Sequence, residues 1–510
     1  MNDVDRRTIE GGIPGIILME NAAYRVVELL SEKFSPVHER RIAVVCGRGN
    51  NGGDGLAIAR QIWTRFHPKS IHVFLTAAPG DLNRDASANF KMLQASGCPN
   101  VIPGPIREIP PDARSADIVV DAVLGTGMNG GAQGAPLDAI RIVNTQFPVA
   151  KVVAVDIPSG LSSDTAQPAG EFVRADYTVT FTAYKVGQML SPACDLMGEL
   201  RLGAIGTRPE LFQNDVAIQL ALITPEFLAP LFTPRPKDSN KGSYGHVLVI
   251  AGSRGKSGAA AMTGLAALRA GAGLVTVASA ASAIPVIASH APELMTEALP
   301  ETEAGTLAAH SAQILLGIAE TKDIVALGPG LTSHHEVVDA VRRLHGTLSK
   351  PMVIDADGLN IMAGSDWSGS GEACYITPHP GEMARLTGKS VAQVQEDRVG
   401  ISRHFAKKIN GTVILKGNRT LIAGPDGEVL VNPTGSPAMA TGGTGDILTG
   451  MIAGFLAQFN ENAEQARAAV AAAVYLHGLA GEIGASALGD KPLIATDLLR
   501  FLPKAIRQLS

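Results

Sequence analysis

Aspartate residues stand beside glycine-rich turns at three points in the N-terminal half of the chain. The segments are CGRGNNGGDG at 46–55, VDAVLGTG at 120–127 and AVDIPSGLSSD at 154–164. Glycines at a helix start leave backbone N–H groups free to bind an anion such as a pyrophosphate. A lone aspartate in such a turn is usually a cap, but we expect Asn51, Asp121, Asp156 and Ser159 to meet at one sheet edge. Oxygen ligands with few carboxylates suit a weakly charged cation or a sugar better than zinc.

The C-terminal half carries a stronger signal, which indicates phosphoryl transfer. Its segment TGGTGD at 441–446 places successive backbone N–H groups at a helix start, suited to the charge of a transferring phosphoryl group. Asp446 follows in the first turn, where it could accept a proton from an attacking hydroxyl. His379 lies between two prolines that fix its backbone, which favours a site residue. The segment GSRGKSG at 252–258 is not a P-loop, because its glycines are too close together.

The elements that position these residues follow from the hydrophobic pattern. Short β-branched runs alternate with helical patterns, which predicts parallel sheets covered on both faces. Ligands of such sheets bind beyond the carboxyl ends of the strands, where the glycine-rich turns fall. The predicted strands are 42–46, 71–75, 118–123, 152–155, 177–181, 247–250, 275–278, 324–327, 352–354 and 413–415.

Length and composition predict a two-domain protein. At 510 residues the chain exceeds one ordinary core, and prolines cluster between 225 and 236, so we place the domains at 1–222 and 223–510. A net charge of -5 without a basic run argues against nucleic-acid binding. Four scattered cysteines argue against a disulfide framework or zinc site, and the N-terminal residues lack the apolar core of a secretory signal. We therefore expect a cytoplasmic protein.

One metal-like cluster is interpreted differently. His334, His335 and Glu336 are consecutive. Because adjacent residues on a helix do not face each other, we expect the two histidines to point apart at a solvated helix start.

The N-terminal segments quoted above resemble, in the same order, the NAD(P)H-hydrate epimerase family. The opening DRRTIEGGIPGIILMENA and ADYTVTFTAYKVG at 175–187 also fit it, although Arg48 stands where the family usually has proline. The resemblance covers residues 1 to about 215 and implies a Rossmann-like three-layer α/β sandwich. It implies that Asp156 is the acid/base and that potassium is bound by Asn51, Asp121 and Ser159. Lys185 lies in a lysine segment of the family, and we assign it no firm role. The implied hydrate-binding residues are Asn50, Asn51, Gly52, Gly53, Asp54, Gly125, Thr126, Gly127, Met128, Asn129, Gly130, Gly131 and Asp156.

The C-terminal segments resemble the ADP-dependent NAD(P)H-hydrate dehydratase family. They are KGSYGHVLVIAGS, GPGL, VIDADGLN, ITPHPGE, VILKGN and NPTGSPAMATGGTGD, in that order. The resemblance runs from about residue 237 to the end and implies a ribokinase-like domain, so the whole chain would be α/β with two doubly wound domains. The implied hydrate contacts are Ala259, Gly330, His379 and Asp446, with Asp446 catalytic. The implied nucleotide contacts are Lys416, Gly417, Asn418, Arg419, Thr420 and Gly445.

Together the two resemblances imply a bifunctional repair enzyme for nicotinamide nucleotides. It would epimerise the R and S forms of hydrated NADH and NADPH, and it would dehydrate the S form at the expense of ADP, giving NAD(P)H, AMP and phosphate. Potassium at the first site, magnesium and ADP as co-substrate are implied. We expect a homo-oligomer that acts on these small molecules and binds neither nucleic acid nor a membrane.

The residues alone leave two alternatives open. One is a small-molecule kinase that phosphorylates a vitamin alcohol and is fused to a regulatory binding domain, since it would share the GTGD segment. The other is a dinucleotide-binding scaffold without turnover. A dehydrogenase is disfavoured, because no G-x-G-x-x-G is followed by an acidic residue about twenty positions on.

Overall fold

The computed structural model divides the chain into two compact units, Met1–Ile218 and Gln219–Ser510. It describes residues 1–106, 108–128, 130–213, 215, 217–365, 367 and 373–509. The division falls after Ile218 rather than after Leu222. The reason is that strand Leu220–Leu222 pairs with Val429–Val431 and so belongs to the second sheet.

The first unit contains a seven-stranded sheet in which every neighbouring pair of strands is parallel. Its strands are β1 Arg41–Cys46, β2 Ser70–Leu75, β3 Val101–Ile102, β4 Ile118–Ala122, β5 Lys151–Val155, β6 Tyr177–Phe181 and β7 Glu199–Gly203. Their spatial order is β3-β2-β1-β4-β5-β6-β7. The order reverses between β1 and β4, which is the position where open sheets of this kind bind ligands.

Helices cover both faces of this sheet. They are α1 Asn2–Glu10, α2 Gly15–Lys33, α3 Asn50–Phe66, α4 Arg84–Ala95, α5 Ala135–Thr145, α6 Val186–Met189 and α7 Glu210–Gln213. Alternate residues of β1 enter two separate cores: Val44 packs with residues of α2, α3 and α4, whereas Val45 packs with residues of α5. Because successive side chains of a strand point to opposite faces, the unit is a three-layer sandwich.

The second unit contains a ten-stranded sheet of order β11-β10-β9-β12-β13-β14-β15-β16-β17-β8. Its strands are β8 Leu220–Leu222, β9 His246–Ile250, β10 Leu274–Ala280, β11 Met295–Leu299, β12 Ile324–Leu327, β13 Met352–Ile354, β14 Cys374–Ile376, β15 Thr412–Leu415, β16 Leu421–Ala423 and β17 Val429–Val431. The strands from β11 to β15 are parallel, and β16 is antiparallel to both of its neighbours. Here the order reverses between β9 and β12.

The helices of the second unit are α8 Pro225–Leu228, α9 Ser257–Arg269, α10 Ile284–Ala288, α11 Ser311–Ala319, α12 His335–Thr347, α13 Asp357–Met362, α14 Pro380–Thr387, α15 Val391–Glu396, α16 Arg398–Ile409, α17 Thr444–Leu456, α18 Ala463–Leu488 and α19 Ala495–Ile506. One core joins α9, α17, α18 and α19 to one face of the sheet. By length and composition α18 could cross a membrane, but 67% of its most apolar window is buried inside the unit. That burial is typical of a core helix.

The expected arrangement of His334 and His335 was wrong. His334 precedes α12 as its cap and is not helical, so the two imidazole rings lie 4.4 Å apart rather than pointing away from each other.

Candidate active sites

A cavity of about 1150 Å³ opens in the first unit at the carboxyl ends of β1 and β4. The turns after these strands form part of its wall, because β1 and β4 are neighbours at the point where the strand order reverses. The predicted hydrate-binding residues that line it are Asn50, Asn51, Asp54, Gly125, Thr126, Gly127, Met128 and Asp156.

Four other predicted hydrate-binding residues do not line the cavity. They are Gly52, Gly53, Gly130 and Gly131. A side chain on Gly52 would overlap the Gly47 carbonyl oxygen, and one on Gly53 would lie 2.6 Å from the Met19 sulfur. Because Gly52 and Gly53 have no side chains, the first turn of α3 can pack directly against Gly47 and Met19. Asn129 lies outside the described residues.

Asp156 forms a buried ion pair with Lys185. The Lys185 Nζ donates to Asp156 Oδ1 at 2.6 Å, to Thr180 Oγ1 at 2.6 Å and to the Phe181 carbonyl at 3.0 Å. Asp156 has a φ of 67°, a backbone conformation that non-glycine residues rarely adopt, and the Gln188 side chain donates to its carbonyl at 2.7 Å. The surroundings thus hold the Asp156 carboxylate at the cavity in a strained conformation.

The predicted potassium ligands fit a monovalent cation: Asn51 lines the cavity, and Ser159 accepts a hydrogen bond from Leu124, which also lines it. Both polar atoms of the Asn51 side chain are buried without a hydrogen-bond partner among the described residues. Asp121 is fully buried and accepts hydrogen bonds from Ser159 Oγ at 2.6 Å and Ser159 N at 2.8 Å. Burial raises the pKa of Asp121 to about 6, although the hydrogen bonds from Ser159 act in the opposite direction. An unpartnered amide oxygen with one carboxylate and one hydroxyl matches the weak charge of potassium.

In the second unit, the Asp446 carboxyl lies in the first turn of α17. The residue before that helix, Gly443, has a φ of 97°, and a side chain there would meet the Met262 side chain at 2.7 Å. The chain can therefore make this turn with glycine at little strain. Burial, and then the negative charge of Asp355, raise the pKa of Asp446 to about 6. Such a carboxyl can exchange a proton with a bound hydroxyl near neutral pH.

Lys416 provides the positive charge of this site. Its Nζ lies 2.7 Å from Asp355 Oδ1 and 3.8 Å from Glu382 Oε2. Burial alone would lower the pKa of Lys416, but the carboxylates of Asp355 and Glu382 outweigh it, so the net direction is upward. A side chain on Gly445 would come within 3.4 Å of the Lys416 ammonium, which places this charge next to the start of α17.

The predicted nucleotide loop, Lys416 to Thr420, is held in shape by two arginines. The buried Arg398 donates to the carbonyls of Asn418 at 2.5 Å, Leu415 at 3.3 Å and Lys416 at 3.4 Å. The Arg419 guanidinium donates to the Pro433 carbonyl at 2.7 Å, and Thr420 Oγ1 to the Gly417 carbonyl at 3.0 Å. The loop therefore stands between β15 and the segment that leads to α17.

The remaining predicted contacts lie around the same strand ends. A side chain on Gly330, after β12, would meet the Ala259 Cβ at 3.2 Å, so these two residues are neighbours. His379 caps the start of α14, and its Nδ1 accepts hydrogen bonds from the backbone N–H groups of Gly381 at 3.0 Å and Glu382 at 3.3 Å. Burial, and then the charge of Lys416, lower the pKa of His379, which favours its neutral form.

Known proteins match both units. A family model described as NAD(P)H-hydrate dehydratase matches residues 247–504, and one described as YjeF-related protein N-terminus matches residues 15–187. The bifunctional NAD(P)H-hydrate repair enzyme of Moorella thermoacetica is 40% identical, with the match covering 100% of this chain and 96% of that protein. The enzyme of the same name from Escherichia coli K12 is 34% identical over 92% of this chain and 85% of its own.

The chain belongs to the bifunctional NAD(P)H-hydrate repair enzymes.

Solved structures agree with this family assignment. The ADP/ATP-dependent NAD(P)H-hydrate dehydratase of Bacillus subtilis, co-crystallised with ATP and magnesium, is 34% identical and matches with a TM-score of 0.51. The match covers 57% of this chain and 100% of the Bacillus subtilis chain. A ribokinase-like superfamily protein of Enterococcus faecalis, 28% identical, also has a TM-score of 0.51, over 57% of this chain and 97% of its own. The predicted resemblance and the α/β fold with two doubly wound domains are confirmed.

Several site residues of this repair enzyme were not predicted from the sequence. In the first unit, Asp5 and Arg6 of α1 line the cavity, and Lys185 received no role. In the second unit, the imidazole Nε2 of His477 lies 2.9 Å from the Thr444 carbonyl; burial lowers the pKa of His477 to about 4, so the neutral ring donates. Asp5, Arg6 and His477 follow neither a strand nor a glycine turn, so the signals used for the other residues could not find them. Lys185 lies in the loop after β6, but its residue type there indicated no particular role. A search for buried basic residues could have found Lys185 only once the fold was known.

Proposed function

We propose that the first unit interconverts the R and S epimers of hydrated NADH and NADPH, and that the second unit dehydrates the S epimer with ADP. The supporting observation is that one chain carries two chemically different proton-transfer sites. One is the Asp156–Lys185 pair in a large cavity. The other is Asp446 beside Lys416 at the start of α17. Because a stereospecific dehydration uses one epimer only, a companion epimerase makes the whole mixture repairable.

In the second unit, Asp446 accepts the proton of the ring hydroxyl as the hydroxyl oxygen attacks the β-phosphate of ADP. AMP leaves, and the backbone N–H groups of Gly443 to Gly445 together with Lys416 stabilise the charge of the transferring phosphoryl group. The ring nitrogen's lone pair then expels phosphate from the ester, and a proton leaves the adjacent ring carbon. The products are the dihydronicotinamide, AMP and phosphate. Magnesium on the nucleotide phosphates supplies further positive charge when bound.

In the first unit, the hydrate lies in the cavity with its hydroxyl at Asp156, which accepts and returns a proton. Lys185 orients the Asp156 carboxylate through Oδ1 and leaves the other oxygen for the substrate. Asn51, Asp121 and Ser159 would hold potassium, whose charge favours the anionic groups of a dinucleotide. We further propose that the enzyme is cytoplasmic and homo-oligomeric, and that it binds these small molecules rather than nucleic acid or a membrane.

The test begins with a mixture of R and S hydrates of NADH, magnesium, and either ADP or ATP. Recovery of the near-UV absorbance of reduced nicotinamide is measured to completion. Full recovery with ADP supports both activities, whereas partial recovery supports the dehydratase alone. A stable phosphorylated product would favour the kinase alternative, and tight binding without product would favour the scaffold.

Two variants test which unit carries out which reaction. Asp446→Asn should abolish recovery with ADP and leave R-to-S interconversion unchanged. Asp156→Asn should abolish interconversion and leave dehydration of the pure S epimer unchanged. Equal loss of both activities in either variant would contradict the assignment of one reaction to each unit.

A further inference from the structure

Two carboxyl groups, of Asp5 and Asp54, and the ammonium group of Lys185 line the cavity of the first unit together with Asp156. Asp5 comes from α1, Asp54 from α3 and Lys185 from the residue before α6. The three N–H groups of Lys185 are all engaged, by Asp156, Thr180 and Phe181. Among the described residues, no hydrogen bond or ion pair joins the Asp54 or Asp5 carboxyl to a basic side chain. Asp54 is thus a cavity carboxyl that no neighbour neutralises.

Asp54 differs from Asp5 in its surroundings. Burial, and then the negative charges of Asp156 and Asp5, raise the pKa of Asp54 well above its usual range. Burial also raises the pKa of Asp5, but the Lys185 charge acts in the opposite direction there. In addition, Asp54 is followed on α3 by Leu56 and Ala57, which are fully buried against the sheet, so its position is fixed by the core.

We propose that Asp54 is a catalytic proton donor of the epimerisation and works in the same cavity as the Asp156–Lys185 ion pair. This inference rests on the epimerisation proposed above for the first unit. It gives two carboxyl groups different roles: Asp156 receives the first proton and Asp54 delivers one.

Such a pair balances the protons of both steps. The epimerised carbon bears a hydroxyl and the ring nitrogen. Asp156 takes the hydroxyl proton as the carbon–nitrogen bond breaks, so the carbon becomes an aldehyde and the bonding electron pair goes to nitrogen. Asp54 protonates that nitrogen. After rotation of the aldehyde, the nitrogen lone pair attacks its other face, the nitrogen proton returns to Asp54, and the new alkoxide takes back the proton held by Asp156. Both carboxyls end as they began, and nothing is oxidised or reduced.

The experiment uses the full-length enzyme, the pure R epimer of hydrated NADPH and no nucleotide. Formation of the S epimer is followed by chromatography. Asp54→Asn keeps the shape of the side chain but cannot donate this proton, so kcat should fall by about 10²–10⁴-fold. KM should stay within about threefold, because a residue that acts only in the transition state changes kcat.

Matched variants distinguish the loss of the proton donor from the loss of a negative charge in the cavity. Asp85→Asn removes another carboxyl that lines the same cavity and should leave kcat within about twofold. Asp5→Asn should lower kcat less than Asp54→Asn does, and Asp54→Glu should recover part of the lost rate. Dehydration of the S epimer with ADP should be unchanged in every variant, because that reaction belongs to the second unit.

A pH profile of the enzyme without substitutions gives an independent readout. With an acid required, kcat/KM for the R epimer should fall as pH rises through the pKa of the donor. The charged and titratable groups that line the cavity with Asp54 are the Met1 amino group, Asp5, Arg6, Glu10, Arg48, Asp85, Asp156 and Lys185, and the charge of Asp54 also acts on Cys46 of β1. Asp85→Asn should keep this alkaline limb, whereas the residual activity of Asp54→Asn should lack it.

The possible results lead to different conclusions. If the unsubstituted enzyme does not interconvert the epimers at all, the proposed function of the first unit fails. If it does, and Asp54→Asn keeps kcat within about threefold or changes only KM, Asp54 is a binding residue and the inference is wrong. If the fluorescence of Trp63 shows that Asp54→Asn unfolds the first unit, the pH profile decides, and the absence of an alkaline limb would overturn the inference.

Discussion

The Asp446 carboxyl has to be ionised before it can accept a proton. Its pKa is raised to about 6, so its active form is present above pH 6 and is lost as the pH falls through that value. We expect kcat/KM of the dehydratase for the S hydrate, at saturating ADP, to fall about tenfold between pH 7 and pH 5. The rate of dehydration is measured at each pH as the release of phosphate. A flat profile over this range would contradict the role of Asp446 as the base.

Lys416 is the only described basic group in direct contact with Asp355, which is buried and also accepts from Thr449 Oγ1 at 2.7 Å. Removing the lysine charge would leave a buried carboxylate without a counter-ion. Lys416→Met should therefore destabilise the second unit by about 3–5 kcal/mol. The exposed Lys408→Met is the control and should change stability by less than about 0.5 kcal/mol.

Urea unfolding can be followed in the second unit alone. The chain has two tryptophans, Trp63 in the first unit and Trp367 in the second. In a Trp63→Phe background, the fluorescence of Trp367 reports the second unit. An equal midpoint for Lys416→Met and Lys408→Met would show that the ion pair adds nothing to stability.

At the residue scale, the sequence predicts a site residue when that residue follows a glycine-rich turn or the end of a strand. Asp446 and Asp156 follow glycine or strand signals, and the structure places each at a strand or helix end beside basic groups. Arg398 and His477 act from helices on backbone carbonyls that are distant in sequence. Their types and spacing carry no local signal, because the carbonyls they hold are defined only by the tertiary fold.

The start of α17 gives a prediction at the scale of the element. Gly443 has a φ of 97°, which strains any other residue, and a side chain there would meet Met262 and Ala495, whereas one on Gly442 would meet nothing within 4 Å. Gly443→Ala should destabilise the second unit by about 1–3 kcal/mol and lower dehydratase kcat, since the N–H groups at the helix start would shift. Gly442→Ala should change stability by less than about 0.5 kcal/mol. Equal Trp367 unfolding midpoints for the two variants would contradict this account.

The strands that sequence reasoning missed are short or partly exposed: five of them have only two or three residues, and β7 and β11 are partly exposed. All ten predicted strands are present, because each is a β-branched run such as β9, whose Val247 to Ile250 are fully buried. The missed strands include β3, with two residues, and β7, where Glu199 is exposed. Short or half-exposed strands have no distinct hydrophobic period. Pairing with a neighbour, rather than their own sequence, makes them strands.

At the scale of the whole molecule, each unit has its own sheet, its own cores and its own candidate site. The proline cluster placed the boundary at 222/223, because prolines are the strongest local break in the sequence. The structure instead assigns β8 to the second unit through its pairing with β17, which lies about two hundred residues later in the chain. A local sequence signal cannot reveal so distant a pairing.

The boundary can be tested with two fragments. Residues 219–510 retain β8, whereas residues 223–510 lack it and expose the unpaired edge of β17, whose Val429, Leu430 and Val431 are buried in the full chain. Burying apolar side chains stabilises by about 25 cal/mol per Å², and an uncovered hydrophobic edge also favours aggregation. We expect fragment 219–510 to unfold at higher urea than fragment 223–510, as followed by Trp367 fluorescence, and to stay monodisperse at concentrations where the shorter one aggregates. Both retain Asp446, Lys416 and Glu382, so both should dehydrate the S epimer where folded. If the two fragments have the same midpoint, β8 is only a linker strand, and the boundary belongs where the prolines placed it.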